Sequence, residues 1–374
     1  MSDVAVLPGT EDHPHARMVL STALADSPSH AYLFHGPAGT GKSTAARAFA
    51  AELLAAGSDD PESVRRRVQN GSHPDLTWVR PTGAHVMRVE DVEGPVVGAA
   101  TRTPFEASRR VFVLERVDTM NDEVSNRLLK TLEEPASFVH LILLTESLGR
   151  VLDTVVSRCQ LVRFEPLPAA RIASVLESEG VSPERALACA GLSLGNLTRA
   201  RFLASPEGQE LRAEVGRFVS AALHGGPPEP WRPLLERAER ARAEAEERAA
   251  EERAERIELE PKGRERRGLE REAEEAAKRE GRRARTGVLD LALTLAELSF
   301  RDLVCVAEGA PEAVLAVDSP PDLTGDARSR DARRLREAAE RCEATRQSLE
   351  LNVTEELALS ALGFRLAALA GEAA

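Results

Sequence analysis

Short apolar runs alternate with helix-patterned stretches over the first 168 residues, and beyond them only the helical pattern continues. Ala31-Tyr32-Leu33-Phe34-His35 reads as a buried strand running into a glycine-rich loop, and the Ala-rich stretch from Thr44 to Leu54 reads as the helix that follows. Arg110-Val111-Phe112-Val113-Leu114 and Val139-His140-Leu141-Ile142-Leu143-Leu144 are two more apolar runs of strand length, each bounded by polar or turn residues. Between them Val124, Leu128 and Leu132 recur four residues apart, which predicts a helix from Asn121 to Glu134 that Pro135 terminates. Strands alternating with helices predict an α/β fold, a parallel sheet with helices on both faces.

After Pro166-Leu167-Pro168 the strand signal fades. Ala169 to Leu203 reads as short helices broken at Gly180, Pro183 and the Gly191–Gly195 stretch, the size of a small helical lid. From Pro206 onward the pattern is helical throughout. Between Arg237 and Arg285 it becomes a mixed-charge Ala/Glu/Arg segment with interruptions expected at Pro261, Gly263 and Gly268. Glu–Arg pairs three or four residues apart suit a solvated helix or helical hairpin there, with nucleic-acid contact by Arg264 to Arg285 as the minority reading. Leu289 to Val306 and Leu349 to Leu369 read as core helices. The expected domains are therefore residues 1–166, a lid at 167–208, and an all-helical domain at 209–374 carrying a charged insertion at about 237–285.

Composition narrows the picture. A chain of 374 residues suggests two or three domains, and 3% aromatics leave Leu, Val and Ala to build the cores. A net charge of −12 argues against a broadly basic DNA-binding surface, which needs clustered Lys and Arg. Cys159, Cys189, Cys305 and Cys342 form no C-x-x-C pair, so neither a zinc site nor a disulfide framework is expected. Met1 to Thr10 has no basic region followed by an apolar core, and no apolar run reaches the roughly 18 residues of a membrane span. A cytoplasmic protein without membrane attachment is the expectation.

The chemistry concentrates in one loop. Gly36-Pro37-Ala38-Gly39-Thr40-Gly41-Lys42-Ser43 fits G-x-x-x-x-G-K-[ST] at every fixed position, between a strand and a helix that takes in Thr44. Its glycines allow successive backbone N–H groups to point at phosphate oxygens, aided by the positive end of the helix. Lys42 is placed to reach the outer phosphates and the Ser43 hydroxyl to ligate Mg²⁺, so ATP or ADP with Mg²⁺ is the expected cofactor. Hydrolysis also needs a carboxylate at the end of a second strand and an adjacent base. That strand ends Val113-Leu114-Glu115-Arg116: Glu115 can still act behind a bound metal, but a guanidinium cannot accept a proton. Binding without efficient hydrolysis is the inference.

Asn126-Arg127-Leu128-Leu129-Lys130-Thr131-Leu132-Glu133-Glu134-Pro135, followed by the strand Leu141 to Thr145 and by Ser157-Arg158-Cys159-Gln160, resembles the clamp loaders of bacterial DNA replication, members of the AAA+ class. Asn70-Gly71-Ser72-His73-Pro74-Asp75-Leu76 is similar to another stretch that this family shares, and the pattern around Asn352 to Leu366 to its last helices. Leu114-Glu115-Arg116-Val117-Asp118-Thr119-Met120 looks like the degenerate motif of the family's delta-prime members, where its motors carry an Asp-Glu pair. The likeness is dense over residues 28–168 and thinner beyond.

The resemblance implies a P-loop AAA+ domain, a lid and a C-terminal collar within a hetero-oligomer. Its other members would be tau/gamma and delta subunits, acting on a sliding clamp and primed DNA. It implies that Arg158 acts on the nucleotide of the next subunit, and that Thr145 is a polar sensor near the γ-phosphate or a buried Thr satisfied by backbone. Three departures stand out: Ala50 to Gly71 lacks the family's zinc cysteines, the phosphate loop is intact, and Arg199 lies one residue late after Gly195 for the lid's usual arginine. His35, His73 and Cys159 read as packed or solvated residues. An active tau/gamma-type motor, a P-loop phosphotransferase and a homohexameric remodelling protein are the alternatives left open.

Overall fold

A five-stranded, wholly parallel sheet organises the first of two compact units, residues 1–168 with 195–197. The structure, a computed structural model, describes residues 6–82, 86–258, 264–318, 327, 330–349 and 353–370. The strands are β1 (Ala31–His35), β2 (Leu76–Val79), β3 (Arg110–Leu114), β4 (Val139–Thr145) and β5 (Gln160–Arg163), in spatial order β2-β3-β4-β1-β5. Every residue of β4 is buried, as a central strand covered on both faces requires.

Strand alternation divides the core between the two faces of the sheet. Tyr32, Phe34, Val111, Val113, Ile142 and Leu144 point one way, onto α1 (Pro14–Ala25), α2 (Lys42–Ala55) and α3 (Pro61–Gln69). Leu33, Phe112, Leu114, Leu141 and Leu143 point the other way, onto α4 (Val89–Val92), α5 (Asp122–Glu133) and α6 (Asp153–Val156). In α5 the expected stripe Val124, Leu128 and Leu132 is buried, and the Asn121 side chain caps the start by accepting from the Val124 N–H at 2.9 Å.

The second unit, residues 169–194 and 198–374, is helical: α7 (Ala169–Ser178), α8 (Pro183–Leu192), α9 (Leu197–Ala204, its first residue counted with the other unit), α10 (Pro206–His224), α11 (Arg232–Glu258), α12 (Arg264–Ala307), α13 (Ala332–Leu349) and α14 (Glu355–Ala370). α12 packs against α11, α10 and α13, while α14 packs against α10 and α13. The core of this bundle includes Phe218, Trp231, Leu234, Leu293, Phe300, Leu335 and Leu362.

Two expectations need correction. Gly268 does not interrupt the charged segment, because α12 runs through it from Arg264 to Ala307. One glycine costs a helix about 1 kcal/mol, a small term beside the packing of α12 along α11. Leu349 to Leu369 is not one helix: α13 ends at Leu349, and α14 starts at Glu355, where Glu355 and Glu356 complement the positive helix end. Pro261, Gly263 and Asn352 lie outside the described residues. Among the described residues, no helix is long and apolar enough to cross a membrane.

Candidate functional site

β1 delivers the chain directly into Gly36–Ser43, at the carboxyl end of the sheet where β1 lies between β4 and β5. Ligands of open α/β sheets bind at such crossover points. The Gly36 N–H donates to the Thr145 carbonyl at 3.3 Å, tying the loop to the end of β4. Gly36, Gly39 and Gly41 have φ of 148°, 69° and 91°, a region that side chains disfavour. Space forbids a Cβ as well: at Gly36 it would lie 1.9 Å from the Phe164 carbonyl oxygen, and at Gly39 1.9 Å from Asn196 Oδ1. Pro37 is exposed and Ala38 half-buried, while Thr40 is buried and donates through Oγ1 to the Pro37 carbonyl at 2.9 Å.

Lys42 is buried and donates through Nζ to the carbonyls of Gly36 at 2.5 Å and Pro37 at 2.6 Å. Burial lowers its pKa from the usual lysine value, against the opposing pull of Glu146 and Asp118. Ser43 and Thr44 are exposed in the first turn of α2. A glycine cradle, a helix N-terminus, a lysine and an exposed hydroxyl together fit the phosphate chain and magnesium of a nucleotide.

The carboxylates are arranged differently from the sequence expectation. Glu115 accepts from Trp78 Nε1 at 2.6 Å and lies 3.3 Å from Arg80 Nε, so it is committed to the edge strand β2. Arg116 follows in the left-handed region, φ 54°. Asp118, which the sequence reading did not single out, stands nearer the loop. Its Oδ1 accepts from the buried Thr145 hydroxyl at 2.9 Å and from the Glu146 N–H at 3.2 Å. The signal available for it was an acidic residue in the turn straight after a buried strand. Asn196 was also missed: it, and not Arg199, belongs to the unit containing the loop, and its carboxamide rests on Gly39.

Arg158 lies elsewhere. It precedes β5, whereas Gly36–Ser43 follows β1, and the two strands are parallel. The arginine and its own chain's phosphate loop are therefore at opposite ends of the sheet, about 16 Å apart along β1 alone. Its Nη1 donates to the Thr154 carbonyl at 2.8 Å and its Nη2 to Glu133 Oε1 at 2.5 Å.

The remaining motif residues are explained by packing. Asp75 is buried and accepts from the N–H groups of Phe105, Glu106 and Ala107 at 2.6, 2.9 and 3.0 Å. His73 accepts the Asp75 N–H through Nδ1 at 3.2 Å, and its Nε2 lies 3.1 Å from Glu106 Oε1. Burial holds His73 below the usual histidine pKa. His35 is lowered likewise by burial, with Arg163, His15 and Lys42 adding to the effect. Cys159 is packed against the core and burial pushes its thiol up to about 12, which excludes a thiolate at neutral pH. Among the described residues no group of His, Cys, Asp and Glu is arranged to hold a metal ion without a nucleotide.

Comparison with known proteins follows this geometry. Residues 13–168 match the family model described as DNA polymerase III, delta subunit. The chain is 34% identical over 194 residues to DNA polymerase III subunit delta' of Bacillus subtilis (strain 168), covering 51% of this chain and 58% of that protein. It is 35% identical over 204 residues to the protein of the same name from Pseudomonas aeruginosa, covering 52% of this chain and 62% of the relative. DNA polymerase III subunit tau of B. subtilis is 32% identical over 165 residues, with 42% and 29% covered. The chain thus spans about three fifths of the first two relatives. A DNA polymerase III gamma subunit-related protein from Thermotoga maritima aligns at 13% identity over 95% of this chain and 99% of its own, with a TM-score of 0.46.

Proposed function

We propose that this chain, which over residues 13–168 matches the family model described as DNA polymerase III, delta subunit, serves as the delta-prime-type subunit of a replication clamp loader. In this reading residues 1–166 bind ATP or ADP with Mg²⁺, 167–208 form the lid, and 209–374 join a collar with tau/gamma and delta subunits. The assembly opens a sliding clamp and closes it on primed DNA. This subunit hydrolyses nucleotide poorly itself and presents Arg158 to the nucleotide of its neighbour. The protein is soluble and cytoplasmic.

The observation that carries the reading is the separation of two half-sites. An intact phosphate loop sits at one end of the sheet, beside a strand end where Glu115 is committed to Trp78 and Arg80 and the next residue is Arg116. Arg158 sits at the other end, too far for its own loop and with 34% of its side chain exposed. Assembly has support of its own in α14, which buries Leu359, Leu362 and Leu366 yet exposes Leu357 at 64% and Phe364 at 69%. A helix apolar on both faces needs cover on both.

The test is ATP hydrolysis by a loader reconstituted with clamp and primed DNA. Arg158→Ala is expected to slow it markedly while this chain still folds and assembles, since arginines supplied in trans are worth on the order of 10³–10⁵ in rate at other P-loop sites. Lys at that position rescues incompletely, because a point charge cannot reproduce the planar fork. Equal rates with wild-type and mutant chain would refute the trans-acting role. One observation favours an active motor instead: Asp118 is hydrogen-bonded to Thr145, and its charge, like that of Glu146, acts to raise the Lys42 pKa. Steady-state turnover by the isolated chain of about 1 per second or more would establish that reading in place of the first.

A further inference from the structure

We propose that Glu133 is the positioning residue for Arg158, anchoring the guanidinium before a neighbouring subunit's nucleotide meets it. This rests on the trans-acting reading of Arg158. Two stretches that are separate in sequence meet here: Leu132-Glu133-Glu134-Pro135 closes α5, and Ser157-Arg158-Cys159 leads into β5. Arg158 Nη2 donates to Glu133 Oε1 at 2.5 Å, while Nη1 donates to the Thr154 carbonyl at 2.8 Å and lies 3.4 Å from Ser157 Oγ.

Charge placement gives the pair its meaning. Asp122 and Glu123 occupy the first turn of α5, where the helix dipole favours carboxylates. Glu133 stands at the opposite end, where the dipole opposes a negative charge. A carboxylate there does nothing for its own helix, and Arg158 is the cation set against it. Cys159, packed against the core, fixes the backbone next to the arginine. The guanidinium is thus gripped on its inner side, yet 34% of the side chain remains exposed. The Nε–H takes no part in these contacts and Nη2 carries a second hydrogen beyond the one given to Glu133, so the guanidinium keeps donors to offer phosphate oxygens.

An unanchored arginine must give up its rotamer freedom at the moment of contact. Glu133 removes that cost beforehand by holding the side chain in one geometry. Exposed ion pairs are weak, so the effect is bounded: Glu133→Ala should slow clamp- and DNA-stimulated ATP hydrolysis about two- to fivefold. The loss should fall on kcat with KM for ATP unchanged, since the arginine acts as charge develops. Glu133→Gln, which keeps an acceptor oxygen, should retain most of the rate.

The experiment is a double-mutant cycle in the reconstituted loader, using wild-type, Glu133→Ala, Glu133→Gln, Arg158→Ala and Glu133→Ala/Arg158→Ala chains. The proposal holds if Glu133→Ala slows the wild-type chain and adds no loss to Arg158→Ala. It is overturned if Glu133→Ala is silent while Arg158→Ala is slow, an outcome that leaves the trans-acting reading standing. It is overturned equally if Glu133→Ala costs the same factor with and without Arg158, for the carboxylate then acts elsewhere. A silent Arg158→Ala would remove the trans-acting reading and this inference together. Should the Ala variant fail to fold in a thermal melt, Glu133→Gln and Glu133→Asp run the same cycle: a loss with Asp, which withdraws the carboxylate by one methylene, that vanishes without Arg158 supports the proposal, and wild-type rates with both overturn it.

Discussion

Asp75 shows how a single side chain can explain a motif without any catalytic role. Burial favours the protonated form, but three backbone N–H donors outweigh it and hold the carboxyl below its usual pKa. The carboxylate thereby fixes the loop that leads into β3, and so indirectly the strand that ends at Glu115. Asp75→Asn, which puts an N–H₂ where an acceptor is needed, should cost about 2–4 kcal/mol in urea unfolding at pH 7. A carboxyl lowered in the folded state contributes stability above its unfolded pKa of about 3.9 and loses it as pH falls through the folded value. The gap between wild type and mutant should therefore narrow below about pH 4. Lys42→Ala belongs to the same scale: losing the buried ammonium beside Gly36 and Pro37 should weaken ADP binding at least about tenfold in a fluorescence titration. Lys42 and Arg158 were singled out from the sequence because each stands in a motif made by its immediate neighbours. Asp118, Asn196 and Glu133 were not, because each matters through a partner distant in the chain: Thr145, Gly39 and Arg158.

The elements were legible in proportion to how fully they are buried. β1, β3 and β4 are apolar runs, whereas β2 and β5 are the edge strands, four residues each and only partly covered, and the sequence reading passed over both. Edge strands need only one apolar face, so Leu76–Val79 and Gln160–Arg163 carry too short a pattern to stand out. The long helices give the opposite lesson, since glycine there reads as a break but acts through what surrounds it. Gly287 lies inside α12 with nothing within 4 Å of an added Cβ, so Gly287→Ala should stabilise the chain by about 0.5–1 kcal/mol. Gly363 lies inside α14, where a Cβ would stand 2.5 Å from the Trp231 ring, a rigid neighbour that is itself buried. Gly363→Ala should destabilise by about 1–3 kcal/mol, the range for forced overpacking. Paired thermal melts check both signs; the same sign for both would mean that Trp231 yields freely.

At the scale of the whole molecule, the chain leaves the unit built on the parallel sheet at Pro168, builds helices for 169–194 in the other unit, and returns for residues 195–197 alone. The return is pinned by the Leu167 N–H donating to the Gly195 carbonyl at 3.1 Å. It is pinned again by close approach, since a Cβ on Gly195 would lie 2.5 Å from Pro166 Cβ, and Gly195 has φ of 84°. Asn196 then rests on Gly39, so three residues from far along the sequence complete the surroundings of the phosphate loop. The consequence is testable with two glycines that look alike. Gly180, with φ of 92°, has open space where its Cβ would be, and lies in the other unit. Gly180→Ala and Gly195→Ala both force a side chain into the left-handed region, a strain of roughly 1–2 kcal/mol. Only Gly195→Ala also pushes against Pro166 and shifts Asn196 on the loop. It should therefore weaken ADP binding by the full-length chain at least about threefold, most of 1 kcal/mol, while Gly180→Ala lowers the melting temperature and leaves affinity intact. Calorimetric titration of both variants decides the matter, and equal affinities would mean that the returning segment is only a tether.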